Sequence, residues 1–103
     1  MAWVQIQHAR EHSLEEHQKV GQAVGDERPA GLILRVVGEV DGRWKAISVW
    51  ESQEDCDRFV QERIIPAVRE VFGEDLIAAG PPPTEWFEIK SAVGLELVRE
   101  LAQ

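Results

Sequence analysis

Asp41-Gly42 stands between two runs rich in β-branched and aromatic residues, Leu32 to Val40 and Arg43 to Trp50. An Asp-Gly pair tolerates the positive φ angles of a two-residue type I′ turn, whose twist matches the flanking strands, so it predicts a β-hairpin. A two-residue turn also sets register. Val40 then pairs with Arg43, and stepping outward Val36 meets Ile47, Arg35 meets Ser48, Leu34 meets Val49 and Ile33 meets Trp50. Apolar partners gather on one face of the hairpin and mixed partners on the other.

Each side of the hairpin reads as a strand–helix arrangement. Val4 and Ile6 alternate with Gln5 and Gln7, the pattern of a half-buried strand over Met1 to His8. Ser13 and Glu16 have capping-box spacing, so a helix should begin near Leu14; Leu14, His17, Gly21 and Val24 recur at helical spacing, and Gly25 to Pro29 supply stop signals. After the hairpin, Ser52 with Asp55 resembles a second cap. Cys56, Phe59, Val60, Ile64, Ala67, Val68, Val71 and Phe72 then form a helical stripe ending at Gly73, with Pro66 expected to kink it. Gly80-Pro81-Pro82-Pro83 is a stiff connector to a last strand, Trp86 to Lys90, and the tail through Leu95, Val98, Leu101 and Ala102 has the spacing of an amphipathic turn or two. The order βαββαβ predicts an α+β ferredoxin-like sandwich: a four-stranded antiparallel sheet with two helices on one face.

The chain has 103 residues, enough for a single domain over 1–103 and too few for two cores. Its net charge of −8 has the wrong sign for gathering phosphates, which argues against nucleic acid and anionic membranes as partners. Cys56 is the one cysteine, so no intramolecular disulfide can form, and neither a leader-like opening nor a membrane-length apolar run is present. A cytoplasmic location is the expectation.

If Val4, Ile6, Leu34, Val36, Ile47, Val49, Phe87 and Ile89 point to the helices, alternation sends Trp3, Trp44, Trp50 and Trp86 to the opposite face. Four such rings would expose roughly 600–1,000 Å², more than a monomer usually leaves open. The expectation is a homodimer joined through that open sheet face, with partial cover from the tail or loops as the alternative.

Gly31-Leu32-Ile33-Leu34, the hairpin through Ser48-Val49-Trp50-Glu51-Ser52, then Phe59, Glu62-Arg63, Pro66-Ala67 and the Pro-rich turn before Trp86 carry a resemblance across most of the chain. The sequence resembles the dimeric α+β barrel proteins related to antibiotic biosynthesis monooxygenases, particularly small bacterial members. The resemblance implies a ferredoxin-like subunit, a barrel formed across a dimer interface, and a small-molecule pocket between sheet and helices. Relatives that oxidise aromatic polyketides work without metal or flavin, using polar and aromatic groups to hold the substrate and stabilise its anion. Arg35 and Trp50 are the positions that match as substrate-binding groups. The chain has no tyrosine, so a tyrosine-dependent version of that chemistry does not carry over. Haem-degrading relatives use a histidine on the second helix, and Ser52 to Phe72 contains none.

Among candidate chemical groups, His8 follows the parity of Val4 and Ile6, which would put it at the helix-covered end of the sheet as a general base or as a structural histidine bonded to backbone. Arg35 lies mid-strand and needs a partner: Glu88, paired across the dimer barrel, or a bound carboxylate or phenolate. Cys56 lies in the first turn of the second helix but on its apolar stripe, the setting of a buried, inert thiol. His8, His12 and His17 lack the regular facing of a helical metal motif, so neither a metal nor a cofactor is expected. The expected function is binding of a small hydrophobic or aromatic molecule in a modest apolar pocket, with cofactor-independent oxygenation or isomerisation. The competing reading is a non-catalytic ligand-binding or interaction module.

Overall fold

The turn forms as its residues require, with Asp41 and Gly42 at φ 52° and 80°. In the computed structural model, which describes residues 2–8, 14–80 and 82–94, the hairpin comprises β2 (Leu32–Val40) and β3 (Arg43–Trp50). Pairing runs as expected from Val40 with Arg43 as far as Leu34 with Val49. There a bulge intervenes, and Leu32 rather than Ile33 lies opposite Trp50. The extra residue turns Ile33 toward the aliphatic cluster of Val4, Val49 and Ile89.

β1 (Trp3–His8) pairs with β3 on one side and β4 (Thr84–Glu88) on the other, all antiparallel, giving the strand order β2-β3-β1-β4. This is the ferredoxin-like α+β arrangement. β4 starts and stops two residues earlier than its apolar run indicates. Pro83 has no N–H, but its carbonyl accepts the His8 N–H at 3.0 Å and so extends the pairing upstream.

The helices are α1 (Leu14–Val24), α2 (Gln53–Phe59), α3 (Ile65–Phe72) and α4 (Glu74–Ala78). Ser52 caps α2: its hydroxyl accepts the Asp55 N–H at 3.1 Å and donates to the Asp55 carboxylate at 3.0 Å. Gly31, at φ +86°, lies so close that an added Cβ would sit 2.3 Å from Asp55 Oδ2. Between α2 and α3 the expected Pro66 kink takes the form of a π-helical turn, Val60–Ile64, in which the Ile65 N–H reaches back to the Val60 carbonyl. Such a turn accommodates a ladder that Pro66 cannot continue as a donor. Gly73 ends α3 at φ 83°, and the short α4 that follows was not marked by the apolar stripe. The Ser13 cap, His12, Pro81 and the tail from Leu95 lie outside the described residues.

Trp3 faces Trp50, Gln5 faces both Ser48 and Trp86, and Gln7 faces Ala46, so the four tryptophans do share one side of the sheet. That side is the helix-covered one, which reverses the expected orientation. His17 of α1 stacks on Trp44 and Phe59 of α2 packs against Trp50, leaving these indoles 4% and 2% exposed. Leu34, Val36, Ile47 and Phe87, expected beneath the helices, are instead 37–51% exposed on the other face. The reason is volume. The helices meet the sheet with the His17 ring at Trp44 and the Phe59 ring at Trp50, and the indoles fill the space between the layers.

Candidate functional site

A wide cleft of about 940 Å³ opens between α1 and the outer strand β2. α1 contributes His17, Gln18 and Gln22, Asp26 follows its end, and β2 contributes Arg35 and Val37. Residues 17, 18, 21 and 22 share one edge of a helix, while 35 and 37 share one side of a strand. Most of the side chains that line it are polar, in contrast to the apolar pocket expected from the sequence.

Arg35 Nη2 lies 3.2 Å from His17 Nε2. A guanidinium can only donate, so this imidazole nitrogen accepts and carries no proton in this geometry. His17 also stacks on Trp44, with ring centroids 4.1 Å apart and planes at 25°. Arg35 is open to solvent on one side, while the protein on its other side desolvates the guanidinium and moves its pKa down, with Cys56 opposing. It remains a cation at neutral pH. Within the chain it is not paired with Glu88, which bonds Lys90 on the far edge of the sheet.

Trp50 is on the same face but turned inward. Its indole N–H donates to Ser48 Oγ at 3.0 Å, and Ser48 donates to Gln5 Oε1 at 3.0 Å. This buried chain ends at Cys56, whose thiol bonds Gln5. Burial first and Asp57 second push that thiol up to about 11, against the weaker pull of Gln5 and Arg35. Cys56 is thus the inert thiol expected.

His8 does not join Arg35. Its parity with Val4 and Ile6 holds, but that is the side the helices leave uncovered, where Nε2 lies 3.6 Å from Glu85 Oε2. The histidine brought to the cleft is His17, from the helical stripe of α1. A signal for it was present: in the stripe Leu14, His17, Gly21, Val24, a polar ring and a missing side chain occupy the surface meant to face the sheet. A second hollow of about 490 Å³ on the uncovered face is bordered by Val4, Val49, Phe87 and Ile89. Among the described residues no cluster of three metal-ligating side chains occurs, and no helix is long and apolar enough to cross a membrane.

No family model and no curated protein matches the sequence. Solved structures do share the fold. A variant of SnoaB, a cofactor-independent oxygenase from Streptomyces nogalater, aligns with a TM-score of 0.53 at 13% identity, over 91% of this chain and 96% of that one. A haem-degrading protein from Mycobacterium tuberculosis, in a haem-free form, aligns with a TM-score of 0.52 at 18% identity, over 91% of this chain and all of the other. The chain thus shares the α+β fold of these two structures.

Proposed function

We propose that the protein binds a small aromatic or polyketide-like anion in the cleft between α1 and β2 and oxygenates it without a cofactor. The observation that carries this reading is the Arg35 guanidinium, held in the cleft 3.2 Å from His17, whose ring stacks on the buried Trp44. The fold shared with a cofactor-independent oxygenase supports the same chemistry.

Without a cofactor, all electrons that reduce dioxygen come from the substrate. The fitting substrate carries an activated methylene beside an aromatic ring: its two C–H bonds break, a C=O bond forms, and the second oxygen atom leaves as water. Arg35, with five N–H donors, holds the enolate or phenolate formed when the first proton leaves. As the guanidinium turns from His17 to the substrate oxygen it frees Nε2 to take that proton, and the same N–H groups hold the oxyanion as it forms. Trp50, buried against Phe59 of α2, is not among the residues that line the cleft.

Haem is disfavoured, because the second helix, where haem-degrading relatives carry a ligating histidine, contains none.

The working unit in this reading is a homodimer of single-domain subunits joined through the uncovered sheet face, in a reducing cytoplasm that suits the free Cys56. Leu34, Val36, Val40, Ile47 and Phe87 stand 37–58% exposed there. Covering them in both copies is worth roughly 10 kcal/mol, comparable with the cost of association.

The test is oxygen uptake with anthrone in chelator-treated buffer, with anthraquinone as product. Turnover above the uncatalysed rate, falling tenfold or more in Arg35→Met, is expected from loss of a charge-assisted bond worth about 1.5–3 kcal/mol. Binding with no oxygen uptake would leave a ligand-binding module in place of an enzyme.

A further inference from the structure

Gly21 occupies the middle of α1, where glycine is the poorest residue short of proline because its free backbone loses most on ordering. Neither usual reason for a helix glycine applies. Its φ is not in the left-handed region, unlike Gly25 at the helix end. A Cβ built on it meets no atom within 4 Å, so no neighbouring element needs the space. The missing side chain faces the cleft, about one turn along α1 from His17, with Arg35 and Val37 on the opposite wall.

We propose that Gly21 is a specificity-determining residue, left bare so that the flat face of a fused-ring ligand can lie against the α1 backbone while its anionic end meets Arg35. The proposal rests on the reading of the cleft as an aromatic-anion site and adds what sets the size of its occupant. From position 17 to position 21 the helix rises ~6 Å, so a fused ring system anchored at Arg35 lies against more of the bare backbone than a single ring does. A methyl group at position 21 would stand in that path. A branched side chain would close it.

The experiment measures the affinity of anthracenecarboxylate and of benzoate by fluorescence titration, alongside melting temperature, for the unaltered chain, Gly21→Ala and Gly21→Leu. Alanine, freed of the glycine penalty and meeting no clash, should raise the melting temperature by about 4 °C. It should also weaken anthracenecarboxylate roughly fivefold, and leucine roughly a hundredfold, as overpacking of a filled site does. Benzoate should bind all three chains alike. Anthracenecarboxylate binding equally to all three, or a lower melting temperature for Gly21→Ala, would overturn the role of Gly21 and leave the cleft reading intact. Failure of the unaltered chain to bind anthracenecarboxylate would overturn both.

Discussion

The imidazole of His17 lies on the indole of Trp44, with centroids 4.1 Å apart, and accepts an Arg35 N–H through Nε2 at 3.2 Å. One side chain on α1 thereby ties the helix to β3 by stacking and to β2 by a hydrogen bond. It couples the packing of the fold to the chemistry of the cleft.

Replacing that ring should therefore cost stability as well as binding. His17→Ala is expected to lose about 1–2 kcal/mol in urea unfolding, from the stack and the hydrogen bond together. A double-mutant cycle with Trp44→Leu should show coupling of ~0.5 kcal/mol or more. Strict additivity would mean that the two rings do not support one another.

Gly31→Ala should be among the most damaging single-methyl additions. The position sits at φ +86°, and the new Cβ would stand 2.3 Å from Asp55 Oδ2, against the carboxylate that completes the Ser52 cap. Strain at positive φ and loss of the cap together predict about 2–4 kcal/mol of destabilisation by denaturant melt. A loss below ~0.5 kcal/mol would show that Asp55 moves aside freely.

Cys56 makes stability fall with alkaline pH. Its thiol titrates at an ordinary value of 9.0 when unfolded and at about 11 when folded, because burial disfavours the thiolate and Asp57 repels it. Below pH 9 both states keep the proton and the thiol adds no pH dependence. Between pH 9 and 11 the unfolded chain releases its proton while the folded chain retains it, so unfolding gains up to about 2–3 kcal/mol. Cys56→Ala should flatten that part of the stability curve, and iodoacetamide should label the native thiol far more slowly than the unfolded one at pH 8.

Sedimentation velocity checks the assembly. At micromolar concentration the chain should run as a dimer, and Ile47→Lys, on the uncovered face, should shift it to monomer by placing a charge where an apolar contact forms. Trp44→Leu, beneath the helices, should leave the dimer intact. An unaltered chain that stays monomeric would remove the dimer and with it the expected cover of this face.

Residues acting within their own segment were legible from the start. Asp41-Gly42 dictated a turn and its register, Ser52 and Asp55 met as a cap, and Cys56 lay on an apolar stripe that buries it. The site was less legible. Arg35 lines the cleft, but Trp50 spends its N–H on Ser48 and His8 lies across the sheet. His17 escaped notice because a histidine on a helix stripe reads as packing until its partners from β2 and β3 are known.

Apart from Ile33, which the bulge turns over, the amino-acid order by itself determined which residues share a side of the sheet, since alternation along a strand is a property of the backbone. It did not determine which side the helices cover. That depended on how volumes from distant segments fit: His17 of α1 stacks on Trp44, Phe59 of α2 packs against Trp50, and the aliphatic side chains are left facing outward. Only tertiary packing sums those volumes, and so only the folded structure could bring Arg35 and His17 to one cleft and leave His8 outside it.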